Sequence, residues 1–140
     1  MTTRTTGAFA LPGLLVLSAL VGCGGDAGAP VTDDLVGRSF VVSGVDGHTT
    51  VDGTEITVAF DEDVILVNAG CNSMRGGYSV DGGTLAVSAL AATRMMCEDA
   101  LMEQEAWVST FLSSAPTIDL DDGTMTLTSD SSTMTLDEVA

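Results

Sequence analysis

The chain has 140 residues, with 20 acidic side chains against 4 basic ones and a net charge of −16. This length accommodates one domain. A field of this sign repels nucleic-acid phosphates and anionic lipid headgroups, so we expect no nucleic-acid partner and no basic membrane-docking patch. The charge permits cationic partners, although a solvated acidic surface explains it as well.

The first 22 residues have the pattern of a signal peptide. Residues 8–21 form an apolar run that follows a short N-terminal region containing Arg4. A transmembrane helix needs about 20 apolar residues, whereas the apolar region of a signal peptide is shorter. Pro12-Gly13 interrupts the run and argues against a buried core helix. We therefore predict a signal peptide over residues 1–22.

The end of this segment is more specific. Leu20-Val21-Gly22-Cys23 resembles a bacterial lipobox, in which the cysteine receives diacylglycerol on its sulfur before cleavage. The resemblance implies that Cys23 is lipidated and becomes the first residue of the mature chain. The protein would then be held in the cell envelope by its lipid, on the extracytoplasmic side, in the periplasm or at the cell surface. The alternative is a secreted protein that is cleaved nearby and retains a free thiol.

The cysteine count is consistent with that reading. Three cysteines are an odd number for an exported protein, and the unpaired one needs an explanation. Lipidation of Cys23 leaves Cys71 and Cys97, which we predict to form a disulfide in an oxidising compartment. Two free buried thiols are the alternative.

The remaining chain divides into a tether and one domain. Residues 23–34 contain the candidate lipidated cysteine followed by small, polar and Gly/Pro-rich residues, so we predict a flexible tether. From residue 35 to residue 140, short β-type runs alternate with turn residues. The predicted strands cover residues 39–43, 54–60, 64–67, 78–80, 84–90, 117–120, 125–127 and 133–136. Residues 45–53 are predicted to be a loop, and Asp81-Gly82-Gly83 a hairpin turn.

One segment has a helical period instead. Residues 98–113 contain no Gly or Pro, and their apolar side chains recur near helical spacing. Trp107 and Phe111 lie on the apolar face, where we expect core packing rather than a ligand site. The predicted class is α+β and mostly β: a curled antiparallel sheet or partly open barrel of seven or eight short strands, with one packed amphipathic helix.

Candidate chemistry is sparse. Cys71 could act as a nucleophile only with His48 as its base, and His48 lies in a turn-like segment. Cys71, Cys97 and His48 are too scattered in sequence for a typical zinc site. Residues 119–123 resemble part of a calcium loop, but an Asp-Gly hairpin turn explains them better. We therefore predict no enzyme activity, no catalytic residue, no metal and no cofactor.

The most distinctive stretches are residues 70–78 and 93–97. They hold Cys71, Cys97 and two of the arginines that follow residue 23, together with a glycine cluster. Gly70, Gly76 and Gly77 suggest a tight backbone path with positive φ. We predict that a disulfide between Cys71 and Cys97 joins these two stretches. It would connect a turn between strands to the entrance of the helix.

Their residues also carry a family resemblance. Gly-Cys-Asn at residues 70–72, Gly77-Tyr78, Thr-Arg-Met-Met-Cys at residues 93–97, and Glu105 with Leu112 in a helix resemble the META domain of HslJ-type proteins. The opening strand, residues 37–40, and a closing strand pair, residues 125–136, also match. The resemblance covers residues 35–137 and departs where Phe40 replaces the commoner Trp.

The resemblance implies a β-rich fold with one helix, in a family associated with heat shock, antibiotic tolerance and motility or virulence, and no established catalytic residue. We therefore expect a monomeric, non-enzymatic accessory or stress-related protein anchored to the membrane by its lipid, with its protein partner unidentified. The alternative is a small domain that binds a hydrophobic ligand between helix and sheet. A solvent-open pocket lined by Trp107 and Phe111 would favour that alternative.

Overall fold

The computed structural model describes Pro30 and residues 32–140. The predicted signal peptide, the lipidation site at Cys23 and the tether up to residue 29 lie outside the described residues. Within them, the elements in chain order are a 3-10 turn, Thr32–Asp34, and the strands and helix that follow. Their bounds are β1 Ser39–Asp46, β2 Thr57–Phe60, β3 Val64–Asn68, β4 Ser73–Asp81, β5 Thr84–Val87, β6 Ala91–Ala92, α1 Asp99–Ser113, β7 Thr117–Asp121, β8 Thr124–Ser129 and β9 Ser132–Val139.

The strands form one antiparallel sheet in the order β3-β2-β1-β9-β8-β7-β5-β4-β6. An additional pairing of β3 with β4 joins the sheet to itself, so eight strands make a closed barrel and β6 lies outside it. The predicted class, mostly β with a single packed helix, is confirmed. The sheet closes completely, which leaves fewer free strand edges than an open sheet would have.

The alternation of side chains decides which face of each strand is buried. In β8 and β9, threonines alternate with fully buried apolar residues, and Met125 pairs with Leu136 while Leu127 pairs with Met134. Each such pair places two side chains opposite each other inside the barrel. The other strands also direct alternate apolar side chains into the barrel.

Short turns with left-handed backbone join several strands. Gly82 and Gly83 connect β4 to β5 with φ of 57° and 78°, and Asp122 and Gly123 connect β7 to β8 with φ of 46° and 86°. Both predicted Asp-Gly hairpins are confirmed. Two consecutive positive φ values match the twist of the flanking strands, and glycine adopts them at little cost.

The helix packs through one face. Its buried side chains are Gln104, Val108, Phe111 and Leu112, which recur at the spacing of a helical stripe. The predicted helix of residues 98–113 is confirmed to within one residue.

Several strand predictions need correction, and β2, predicted from residue 54, begins only at Thr57. β1 continues to Asp46 through a bulge between Val42 and Gly44, so the predicted loop begins later than residue 45. The run predicted as one strand over residues 84–90 ends at Val87, bends, and pairs again as β6. The stretch before Tyr78 is a strand from Ser73 onward rather than a turn.

The chain before β1 is packed against the barrel. Thr32 Oγ1 accepts a hydrogen bond from Val80 N at 2.8 Å, and Leu35 is completely buried. Arg38 donates to both carboxylate oxygens of Glu138, at 2.9 and 2.6 Å, and joins the start of β1 to the end of β9. Residues 32–34, at the end of the predicted tether, therefore form a 3-10 turn that bonds to the barrel.

Candidate functional site

The candidate site is built from two segments, the β3–β4 turn and residues 93–97. The β3–β4 turn depends on a glycine. Gly70 has a φ of 98°, a left-handed conformation that glycine adopts without strain. A Cβ at this position would lie 3.1 Å from Leu101 Cδ2 and 3.3 Å from Thr54 Cβ. Asn68 Oδ1 accepts a hydrogen bond from Gly70 N at 2.9 Å and tightens the turn. The turn therefore requires glycine for both its conformation and its close packing.

Asn72, immediately after the turn, is the centre of a hydrogen-bond network. Its side chain is 2% exposed. Oδ1 accepts from Thr93 Oγ1 at 2.9 Å and from Met95 N at 2.6 Å. Nδ2 donates to Met95 O at 3.3 Å and to Glu105 Oε1 at 3.1 Å. Both amide atoms are satisfied, as a buried polar group requires.

Glu105 brings the helix into the same network. Its Oε2 accepts from Asn72 N at 2.8 Å while its Oε1 accepts from the Asn72 side chain. Hydrogen bonds to an ionised carboxylate are stronger than those between neutral groups. One helical carboxylate thus holds both the backbone and the side chain of Asn72, a role that the sequence does not reveal.

A disulfide between Cys71 and Cys97 completes the connection. The two Cα atoms are 6.0 Å apart and the residues are separated by 26 positions. The bond joins the β3–β4 turn to the residue just before the helix entrance. It lies beside the Asn72 network, so covalent and hydrogen-bonded ties hold the same two segments together.

Gln104 is a further polar residue that sequence reasoning missed. It is 1% exposed. Its Oε1 accepts from Val51 N at 2.7 Å, and its Nε2 donates to Ala69 O at 2.7 Å and to Thr54 Oγ1 at 3.1 Å. The helix is thereby tied to the β1–β2 connection and to the end of β3. Gln104 lies four residues before Val108, on the apolar face of the helix, and this spacing is the sequence signal that could have indicated its burial.

The other glycines of the motif do not have the conformation expected for them. Gly76 and Gly77 do not have a positive φ, and both lie within β4. A Cβ at Gly76 would lie 3.2 Å from Ser88 O, and one at Gly77 would lie 3.1 Å from Ser88 Oγ. These glycines therefore permit the segment between β5 and β6 to lie close against β4.

Tyr78, inside the barrel on β4, is polar but unlinked to the network. It is 6% exposed, and no hydrogen-bond partner for its hydroxyl is present among the described residues. Burial raises the pKa of its phenol above the ordinary value, and the charges of Asp33, Asp61 and Asp63 raise it further. Its ring makes an edge contact with Phe60, with centroids 4.9 Å apart.

The residues considered for catalysis are placed separately. His48 stacks on Trp107 with ring centroids 4.3 Å apart and an interplanar angle of 6°, and Cys71 is in a disulfide. In the part of the chain that the structure describes, no group of three or more His, Cys, Asp or Glu side chains is placed to hold a metal ion.

The aromatic face of the helix is packed. Phe111 is 4% exposed within the core, and its ring lies 5.3 Å from that of Trp107. His48 covers a face of Trp107, so this side chain is also partly enclosed. A surface depression of about 510 Å³ lies nearby in sequence at the end of the helix, lined by polar residues that include Ser114, Thr117 and Thr128.

Across the described residues, no helix has the length and apolar character needed to cross a bilayer.

Comparison with known proteins places this architecture. The family model described as the META domain matches residues 33–140. Heat shock protein HslJ of Escherichia coli is 29% identical over 119 residues, which cover 83% of this chain and 85% of that protein. A protein from Burkholderia xenovorans solved by NMR superposes with a TM-score of 0.67 at 19% identity, covering 100% of this chain and 99% of the other. A second protein solved by NMR has a TM-score of 0.63 at 29% identity, covering 76% of this chain and 92% of the other. The chain therefore belongs to the META domain family.

Proposed function

We propose that the protein is a lipid-anchored, non-enzymatic accessory module of the cell envelope that acts through binding and contributes to stress tolerance. The observation that supports the binding role is that hydrogen bonds and a disulfide both connect the β3–β4 turn to residues 93–97. Asn72 and the Cys71–Cys97 disulfide fix a solvent-exposed segment on a rigid barrel. A segment ordered before binding loses less conformational entropy when it meets a partner.

The name of the matched relative supports the stress-related part. That relative is called a heat shock protein, and membership of the same family is consistent with an accessory role. The lipid anchor rests on the sequence, where Leu20-Val21-Gly22 precedes Cys23 at the end of an apolar run. A single acyl chain binds membranes only weakly, so stable anchoring needs the two chains of a diacylglycerol group or more.

The anchor is tested by replacing its attachment atom. Cys23→Ser removes the sulfur that would carry the lipid, and we expect the variant to incorporate no radiolabelled fatty acid. Ser18→Ala, in the same apolar run, is the matched control and should incorporate the label as the unchanged chain does. Because lipidation precedes cleavage, the variant can keep its apolar N-terminal run, so the label and not the membrane fraction is the readout. An unchanged chain that incorporates no label, or a Cys23→Ser chain that still incorporates it, excludes the lipid anchor.

The alternative, a site for a hydrophobic ligand between helix and sheet, would have to use Trp107 and Phe111. Since His48 covers Trp107 and Phe111 lies in the core, a ligand there would have to displace His48. Quenching or a spectral shift of the single tryptophan on titration with a fatty acid would support this alternative. Unchanged Trp107 emission would count against it.

A further inference from the structure

Residues 93–97, which we call the displayed segment, combine exposure with fixed backbone. The side chains of residues 93–96 are exposed. Thr93 N donates to Ser73 O at 3.1 Å, both backbone polar atoms of Met95 bond to Asn72, and Cys97 is in the disulfide. Exposed loops ordinarily hold few such bonds and are mobile. Here the side chains project into solvent from an ordered backbone.

The displayed segment carries much of the exposed apolar surface. Met96 is 92% exposed and Met95 is 59% exposed. Leu66, on the outside of β3, is 44% exposed. Clusters of exposed large apolar side chains on an ordered surface indicate an interaction site, and methionine adapts its shape to different partners.

Strand register connects Leu66 to the displayed segment. Leu66 pairs with Arg75 across β3 and β4, and Arg75 pairs with Ala91 across β4 and β6. Residues directly opposite in neighbouring strands have side chains on the same face of the sheet. Leu66, Arg75 and Ala91 therefore lie on the outer face of the sheet, and the displayed segment follows β6 directly along the chain. We call these residues, β6 and the displayed segment together the β6 face.

The β6 face also holds unpaired positive charge. Arg38 is neutralised by Glu138, whereas Arg75 and Arg94 are exposed and have no carboxylate within salt-bridge distance among the described residues. In a chain with a net charge of −16, these two guanidinium groups are local exceptions. Arginine is enriched in protein interfaces because it binds carboxylates through two hydrogen bonds.

The backbone of β6 offers a further contact. It is the terminal strand of the sheet order and pairs with β4 on one side. A terminal strand presents unpaired N–H and C=O groups to which an extended peptide can add as a new strand.

We propose that the β6 face binds an extended acidic segment of a partner protein. The segment adds to the free edge of β6, its carboxylates pair with Arg75 and Arg94, and its apolar side chains cover Leu66, Met95 and Met96. At contact distance the two arginines pair directly with carboxylates, whereas the charges of the more distant acidic side chains are screened by salt. This inference rests on the proposed binding role and names its partner class.

The test measures binding of a fluorescein-labelled peptide of alternating glutamate and valine to the full chain in mild detergent, by fluorescence anisotropy. We expect saturable binding that weakens about threefold in Arg75→Gln or Arg94→Gln, because each removes one exposed ion pair. The double variant should weaken binding about tenfold, since the effects of separate charges add. Arg38→Gln is the matched control: it removes the same charge elsewhere and should leave the affinity unchanged.

Two peptide variants test the remaining elements. Central proline removes a backbone donor and should abolish strand addition, and lysine in place of glutamate should abolish binding. Equal loss of affinity in Arg38→Gln and Arg94→Gln, or equal binding of the proline peptide, overturns the proposal. So does arginine-dependent binding to phosphatidylglycerol vesicles without peptide binding, or arginine-dependent dimerisation in sedimentation that blocks the peptide.

The two proposals fail separately. If Cys23→Ser abolishes fatty-acid labelling but no peptide binds, the β6-face inference alone is wrong. If the peptide binds with the expected arginine dependence while the unchanged chain incorporates no fatty acid, the anchor alone is wrong.

Discussion

Two buried polar side chains, one just before β4 and one within it, have opposite environments. Asn72 lies just before the strand and is 2% exposed, and Tyr78 lies within it and is 6% exposed. Every polar atom of the Asn72 amide is hydrogen-bonded, whereas the Tyr78 hydroxyl has no partner among the described residues. The comparison distinguishes a buried polar residue that links chain segments from one whose ring fills the core.

Asn72 joins parts of the chain that apolar packing does not join. The displayed segment is exposed and contributes little to the core, so hydrogen bonds and a disulfide hold it in place. Tyr78 lies where apolar packing is already dense, and its ring contributes area and an edge contact with Phe60. Its hydroxyl is a cost that the packing of the ring offsets.

The largest expected effect comes from removing the covalent tie. A disulfide across 26 residues stabilises by about 3.5 kcal/mol in the chain-entropy model. Cys71→Ser with Cys97→Ser should therefore lower the free energy of unfolding by about that amount in urea denaturation. The unchanged chain under reducing conditions is the control and should match the double variant. A loss below about 1 kcal/mol would mean that the Asn72 network holds the two segments without the bond.

The disulfide itself is checked directly. Mass spectrometry of the non-reduced protein should show the Cys71 and Cys97 peptides linked. Two freely alkylated thiols would contradict the structure at this position.

A smaller effect is expected from Asn72→Ala. The substitution leaves Met95 N, Thr93 Oγ1 and Glu105 Oε1 without their partner, and each unsatisfied buried group costs about 1–3 kcal/mol unless water reaches it. Because the displayed segment borders solvent, water replaces part of the network, and we expect a total loss of about 2–3 kcal/mol. Amide hydrogen exchange should accelerate most at residues 93–97.

Asn68→Ala is the matched control for that variant. Asn68 lies at the start of the same turn, and its Oδ1 accepts a hydrogen bond from Gly70 N. We expect it to cost about 1 kcal/mol or less, with no faster exchange at residues 93–97. Equal effects of the two substitutions would mean that Asn72 acts as an ordinary turn residue.

Local patterns predict most elements of this fold. The alternation of Met125, Leu127, Met134 and Leu136 indicates two strands with the correct buried face, and the Asp-Gly pairs indicate hairpins. Closure of the barrel depends on the pairing of β1 with β9 and on the bridge between β5 and β7 at Thr84 and Thr117. Such long-range registers have no local signature.

The site is less predictable for a related reason. The cysteines and Asn72 stand out in the sequence, but the partners of Asn72 lie 21 to 33 positions away. The glycines at 76 and 77 suggest a turn when only their conformational freedom is considered. Their function, close passage of a second chain segment, depends on where Ser88 lies in space.

The smallest effect at neutral pH is expected from Tyr78→Phe. Removing a hydroxyl that has no partner leaves the apolar packing of the ring intact, so the stability should be unchanged or rise by up to about 1 kcal/mol. A loss of more than about 1 kcal/mol at neutral pH would show that the hydroxyl is hydrogen-bonded, to a buried water for instance.

The same variant has a larger effect in alkali. The raised pKa of Tyr78 means that the folded protein favours the protonated phenol. This contribution to stability is fully present below the unfolded pKa of about 10 and is lost as the pH rises through the folded pKa. Wild-type stability should therefore fall in this alkaline range, and the fall should be smaller in Tyr78→Phe. Because the chain has a single tyrosine, the ultraviolet absorbance of tyrosinate reports this ionisation alone. Ionisation at the ordinary tyrosine pKa, without loss of stability, would show that the hydroxyl is open to solvent.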